Sequence, residues 1–304
     1  MQLVEYYAHN SPRLGVVENG LVVDVGGLHP DLPARMLPFI QAGSRARHLV
    51  EQALASGGQR VVAGRLEEVP LGPPIPNPPK LLCVAANYRE HIVECGMAAP
   101  DAGRTITPQF FSKFPSTCIV GPEASIPIGR RNVAVDWEIE LAVVVETGGK
   151  NIPSNSALEH VFGYTIINDV SERKFNSNIP NRLLRTNDSF FDWLSGKWFD
   201  GFAPVGPVLV TRDEIPDPQA LQLGLELNGV VMQDSSTSKM IFSVAELIAY
   251  ISEYVTLEPG DMIATGTPEG IGASRGQFLN SGDVVRGWIS GMGSLENRVV
   301  ALTS

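Results

Sequence analysis

Residues 133–146, VAVDWEIELAVVVE, constrain the fold of this chain more than any other stretch. The run is mostly apolar and rich in β-branched residues, which favours a strand buried on both faces. Yet it carries two carboxylates, Glu138 and Glu140. Side chains at i and i+2 of a strand leave by the same face, so the two acids project side by side. Unpaired carboxylates on one buried face repel each other and are costly to desolvate. A divalent cation removes both difficulties, and the pattern therefore points to Glu138 and Glu140 as metal ligands. A solvated strand face with incidental acids is the plain alternative. The apolar flanks Ile139, Leu141, Ala142 and Val143 weigh against it.

At 304 residues the chain is long enough for one large domain or two unequal ones. A hydrophobic content of 43% with 18% charged residues excludes a disordered or fibrous class. Net charge is −10 with no basic cluster, which argues against nucleic acid or an anionic membrane as partner. An anionic small-molecule ligand then needs a metal or placed Lys and Arg. Cys83, Cys95 and Cys118 form no C-x-x-C pair and read as reduced packing thiols. The start MQLVEYYAHN has no basic n-region, and no apolar run approaches the ~18–20 residues of a membrane span. The expectation is a cytoplasmic protein.

Residues 1–69 read as a small α+β unit, with a hairpin turn at Asn19-Gly20 and a helix over 34–56. Its His9, His29 and His48 stand alone and read as surface or packing residues. A Pro-rich linker over 70–80 marks a boundary or a strap, and the main domain is expected over 81–304. That domain opens with a strand, LLCVAA. A short helix over 87–97 follows, placing His91 and Glu94 on one face, before a loop through Pro100, Gly103 and Pro108. A short helix in a long loop has the form of a lid; a surface helix with an incidental pair is the alternative. The strand FGYTIINDV ends in Asn168 and Asp169, where chemistry or a helix cap are both ordinary. Lys197 sits between Gly196 and Trp198 in an aromatic-rich stretch, an apolar setting for a charge. Lys113 is open between the surface and the pocket. Asn228-Gly229 signals a second hairpin, and Ser243 with Glu246 caps a helix within 242–257. In TGTPEGIG, residues 265–272, glycines and threonines allow close approach of an anion, but the loop lacks the Gly-Lys-Ser/Thr ending of a nucleotide site.

Taken in order, NYREHIVE, DWEIELAVVV, GYTIINDVSER, LEPGDMIATGTPEGIG and SGDVV resemble the motifs of the fumarylacetoacetate hydrolase family over 80–302. The resemblance implies an α+β, mainly β fold, a mixed β-sandwich roll with a small N-terminal α+β domain, usually homodimeric. It implies Glu138, Glu140 and Asp169 as ligands of Mg²⁺ or Mn²⁺, with Ca²⁺ also compatible with all-oxygen ligation. His91 and Glu94 match the lid dyad that activates water, and Lys197 the lysine that stabilises an oxyanion. Arg173 and Thr267 fall at substrate-contact positions. The implied activity is hydrolysis of a C–C bond in an acylpyruvate-like 2,4-dioxo acid, by way of a metal-stabilised enolate in aromatic or sugar-acid catabolism. The alternatives are decarboxylation or isomerisation of a 2-oxo or 2-hydroxydienoic diacid, or, further off, a non-catalytic binding member. Three positions depart from the pattern. Val84-Ala85-Ala86 replaces a further acid ligand of the longer members, the same Ala85-Ala86 replaces a glycine before Asn87, and Lys174-Phe175-Asn176 stands where D-x-Q is usual.

Overall fold

In the computed structural model, which describes residues 1–58, 60–98 and 106–302, the acid-bearing run splits into a short strand, Val135–Asp136, and the fully buried strand Ile139–Val145, with Glu138 just before the second. The second strand lies inside an 11-stranded mixed sheet. Along that sheet the order is Val62–Arg65, Leu21–Asp24, Ser11–Glu18, Gln2–Ala8, Ala203–Thr211, Val161–Asn168, Ile139–Val145, Met262–Ala264, Leu81–Ala85 and Gln109–Lys113. The short strand Ile119–Val120 pairs with Ala203–Thr211 off this path. A second, five-stranded sheet runs Val230–Ser236, Gln222–Leu227, Val284–Ile289, Gly293–Ala301 and Ile126–Ile128. The molecule is mainly β, as the resemblance implies, and its helices are short.

Alternation along Ile139–Val145 divides the core. Ile139, Leu141, Val143 and Val145 join the apolar cluster shared with the second sheet, through Leu223, Leu225 and Val285. Ala142 and Val144 join the opposite cluster, under the N-terminal helices with Phe39, Ile40 and Val50. Glu140 shares the parity of Ala142 and Val144, so its carboxylate emerges at the end of that second face.

The N-terminal unit is continuous with this sheet. Gln2–Ala8 pairs with Ala203–Thr211, and Leu3, Leu14 and Val16 pack in one cluster with Cys83, Ile167 and Leu209. The proline-rich segment straps along the same strand: Tyr7 N–H donates to Pro70 O at 2.9 Å and Gly72 N–H to Glu5 O at 2.8 Å. Both expected hairpins form, joining Ser11–Glu18 to Leu21–Asp24 and Gln222–Leu227 to Val230–Ser236. The expected helix over 34–56 is two helices, Met36–Gln41 and Gly43–Ala55. Gly43 takes φ +66°, a left-handed conformation that glycine adopts without strain and that interrupts the helix. Ser243 and Glu246 make a complete capping box at the start of Val244–Tyr254. Pro100 and Gly103 of the expected lid loop lie outside the described residues. No helix among the described residues is long and apolar enough to cross a membrane.

Candidate active site

The antiparallel register brings the acids together. Ile139 is opposite Asn168 and Glu140 opposite Ile167, so Asp169, one residue past its strand, arrives beside Glu138. Two hydrogen bonds fix this crossing: Asp169 N–H donates to Glu138 O and Glu138 N–H to Asn168 Oδ1, both at 2.9 Å. One carboxylate oxygen from each of Glu138, Glu140 and Asp169 lies within 4.8 Å of the other two, and all three residues are buried. Glu138 and Glu140 line a cavity of about 530 Å³, together with His91, Glu94, Arg173, Lys197 and Thr267.

The cations around the trio are placed by aromatic and backbone contacts. Lys197 follows the helix Asp188–Ser195 and bonds Glu138 Oε2 and, at 2.7 Å, Asp169 Oδ2. Its ammonium lies 5.2 Å from the Phe111 ring and 5.7 Å from the Trp193 ring. Arg173 bonds Glu138 Oε1 and, through Nε, Asp136 Oδ2 at 2.9 Å. Lys113 is fully buried, with its ammonium on Asp169 Oδ1 at 2.5 Å and on the carbonyls of Val170 and Phe202. The structure thus takes Lys113 off the surface and makes it a counter-ion of Asp169.

Charge is unevenly shared. Burial opposes ionisation of Glu138, but Arg173 and Lys197 outweigh it and hold its carboxyl well below the usual range. Burial pushes the Glu140 carboxyl well up, reinforced by the charges of Asp169 and Glu138. Glu140 makes no ion pair among the described residues; its Oε2 accepts the Gly266 N–H at 2.7 Å. Burial disfavours the Lys197 charge, but Asp169 and Glu138 hold its ammonium above the usual lysine range. Four buried carboxylates, Asp136, Glu138, Glu140 and Asp169, therefore meet three cations, Lys113, Arg173 and Lys197. A divalent cation fits this set by charge and by its hard oxygen donors. Its second charge leaves one positive charge over for an anionic ligand.

His91 and Glu94 face the same cavity from the short helix Arg89–Glu94. His91 Nδ1 is 2.8 Å from Glu94 Oε1, and Cys95 Sγ is 3.9 Å from the same nitrogen. Burial lowers the imidazole's affinity for a proton, but Cys95, Glu94 and the charge of Glu138 together push its pKa up to about 9. Glu94 Oε2 accepts from Gly270 N–H and Ser274 Oγ, both at 2.9 Å. The helix is clamped at its entry by Asn87, whose side chain bonds Thr265 O at 2.8 Å and both the N–H and the C=O of Phe242. Ala86, just before Asn87, holds φ +55°.

The loop 265–272 does grip anions, and they are the protein's own. Its amides serve Glu140 from Gly266, Glu94 from Gly270 and Asp136 from Gly272. Gly266, at φ +92°, admits no side chain, because a Cβ there would meet that of Asn87 at 2.8 Å. Thr267 Oγ1 donates to Ile139 O and accepts from Gln233 Nε2, both at 2.9 Å. Sequence reasoning did not single out Asp136, Gln233, Asn87 or Ser274. Asp136 stood inside the leading motif, two residues before Glu138, and that was its only signal. Lys174 turns from the site to the Phe278 ring at 5.3 Å, and Asn176 bonds Asp192 at 2.9 Å.

A model of the fumarylacetoacetate hydrolase C-terminal domain matches residues 80–300. The oxaloacetate tautomerase fahd2, mitochondrial, of Xenopus laevis is 40% identical over 306 residues, covering 99% of this chain and 90% of that protein. The solved fumarylacetoacetate hydrolase of Exiguobacterium antarcticum superposes with a TM-score of 0.80 at 33% identity, covering 99% of this chain and 100% of its own. The maleylpyruvate hydrolase of Sphingobium sp. SYK-6, solved with manganese(II) and pyruvate, has a TM-score of 0.78 at 27% identity over the full length of both chains.

Proposed function

The chain belongs to the fumarylacetoacetate hydrolase family, and from that premise we propose that it moves a proton between the keto and enol forms of a short 2-oxo acid, oxaloacetate being the first substrate to test. A divalent cation, Mg²⁺ or Mn²⁺, is held by Glu138, Glu140 and Asp169. One observation carries the reading: a single hydrogen-bonded proton-transfer pair, His91 on Glu94, faces the same cavity as Glu138 and Glu140. The tautomerase at 40% identity over 99% of the chain supports it.

The residues divide the work. When bound, the cation supplies Lewis-acid polarisation of the substrate's 2-oxo oxygen. Glu94 engages His91 Nδ1 and leaves Nε2 to exchange a proton with the carbon next to the 2-oxo group. Glu94 is itself held by Gly270 and Ser274, so the imidazole is oriented before substrate arrives. Lys197 faces the developing oxyanion with an ammonium that its acidic neighbours keep charged. Arg173, held by Asp136, presents a fixed polar edge to the substrate carboxylate, while Thr267, its hydroxyl already donating to Ile139 O and accepting from Gln233, shapes the wall beside it.

A second reading, hydrolysis of a C–C bond in an acylpyruvate, is supported by the maleylpyruvate hydrolase of the same fold that binds manganese and pyruvate. There the dyad takes its proton from water instead of carbon. The motifs alone put hydrolysis first; similarity to a tautomerase along the whole chain reverses the order. The experiment follows oxaloacetate enol by ultraviolet absorbance and all products by NMR, with Mg²⁺ or with EDTA. Metal-dependent enol–keto exchange, lost in His91→Ala, is expected. No acceleration, with pyruvate and a second acid released from acylpyruvates, would instead assign hydrolysis.

A further inference from the structure

The cavity has a second character beyond the carboxylates. Phe190, Trp193 and Lys197 recur at spacings of three and four along the helix Asp188–Ser195 and just past it, and all three line the cavity. The Trp193 ring lies 5.7 Å from the Lys197 ammonium, 5.3 Å from the Phe111 ring and 5.9 Å from the Phe190 ring. Aromatic surface therefore runs without a break from the lysine to the mouth, where Phe190 is 57% exposed. Met97, 52% exposed, lines the same cavity. Such apolar surface kept open beside polar machinery marks a binding surface more often than packing.

Positive charge, by contrast, is confined to the inner end. Each described cation lining the cavity is paired with a protein carboxylate: His91 with Glu94, Arg173 with Asp136 and Glu138, Lys197 with Glu138 and Asp169. None among the described residues remains along the aromatic wall to meet a second carboxylate. An anionic tail would be desolvated against the negative faces of Trp193 and Phe190 without a partner. The cavity, about 530 Å³, falls in the ~300–1,000 Å³ range that takes ligands well beyond four carbons.

We propose that the preferred substrate is a 2-oxo acid whose far end is an apolar group, aryl or branched alkyl, seated on Trp193 and Phe190. Trp193 and Phe190 are then the specificity-determining residues. The proposal rests on the reading of the inner end as the site of a 2-oxo acid head, and it adds the chemistry of the tail.

Calorimetry on the full Mn²⁺-loaded chain tests it with three acids that share the head: pyruvate, 2-oxoglutarate and 2-oxo-4-phenylbutanoate. The phenyl-tailed acid is expected to bind tighter than 2-oxoglutarate by about tenfold or more, the range a shaped apolar pocket provides. Trp193→Ala should collapse that ratio and Phe190→Ser reduce it. Should Trp193→Ala fail to fold, Phe190→Ser at the exposed rim carries the test. Equal or tighter binding of 2-oxoglutarate overturns the proposal, as does an equal loss for all three acids in the variants. Pyruvate binding and turnover without tail preference sinks this inference and leaves the proposed function standing. Tail preference without turnover does the reverse, and no binding of any acid sinks both.

Discussion

Two groups of buried acids, one toward the N-terminal edge of the large sheet and one at its inner strands, differ in how their charge is met. Near the N-terminal edge, Asp24 accepts from Tyr6 Oη and Arg13 Nε at 2.5 Å, and from Arg13 and the Gly27 N–H at 2.8 Å. Glu5 likewise takes Arg35 Nε at 2.9 Å and the Met36 N–H at 2.8 Å. Each of these acids has its own cation and a backbone amide. At the inner strands one carboxylate oxygen from each of Glu138, Glu140 and Asp169 lies within 4.8 Å of the others, and Glu140 has no ion pair among the described residues. Satisfied acids of the first kind hold a fold together. Among the crowded acids Glu140, pushed well up by burial and by the charges of Asp169 and Glu138, costs stability when ionised, and a chain tolerates such an acid where it does chemistry.

The comparison breaks most visibly in catalysis. His91→Ala should lower turnover by roughly 10²–10⁴-fold, the usual contribution of a positioned acid–base group, and leave Mn²⁺ binding intact. Unchanged turnover would make the dyad structural. In stability the two groups should respond with opposite signs. Asp24→Asn is expected to destabilise the protein by on the order of 2 kcal/mol, since it removes the charge that four hydrogen bonds from Tyr6, Arg13 and Gly27 converge on. Glu140→Gln should stabilise the metal-free protein by on the order of 1 kcal/mol, keeping the Gly266 bond and removing a crowded charge. Denaturation by urea reads both, and two losses of stability would erase the contrast.

The pH profile sharpens it. Burial raises the Asp24 carboxyl, but hydrogen bonds from Arg13 and Tyr6 outweigh that and hold it below the usual range. Its contribution to stability is therefore present above the unfolded value of about 3.9 and is lost as pH falls through the lower folded value. Glu140 runs the other way: its contribution is full below about 4.3 and is lost as pH rises through its raised folded value. His91, pushed up to about 9, contributes below its unfolded value of about 6.5 and loses that contribution as pH rises through about 9. Each slope should vanish in the matching variant, Asp24→Asn, Glu140→Gln or His91→Ala, when melting is followed across pH. The smallest effect is on His91 itself. The Glu138 charge is one cause of its raised pKa, so Mn²⁺ or Mg²⁺ should move the imidazole titration seen by NMR to lower pH; Mg²⁺ avoids broadening.

Much of the site was legible because its signals are local. The spacing of Glu138 and Glu140 predicts a common face, and both line one cavity although Glu138 lies just before the strand Ile139–Val145; the common helix face of His91 and Glu94 holds. Asn-Gly turns and the Ser243 capping box are likewise written within a few residues. What was not legible depends on residues distant in sequence. Lys113 is buried by contacts with Asp169, Val170 and Phe202, and nothing in its own neighbourhood distinguishes it from a surface lysine. Asp136 gains its role from Arg173, Gly272 and Ala273, which arrive from two other segments. The anion-gripping loop was visible as a type, but its anions belong to strand and helix ends far along the chain. Hydrolysis and tautomerisation share one set of groups, so motif and spacing leave the choice between them to the substrate.

A divalent cation on Glu138, Glu140 and Asp169 is what the proposed chemistry needs, and calorimetric titration of Mn²⁺ into metal-free native protein and Glu140→Gln tests for it directly. Native protein should bind one ion per chain, and the variant, folded and at least as stable without metal, should show no comparable binding. Equal affinity in the two proteins would contradict the assignment and return the three acids to a structural role.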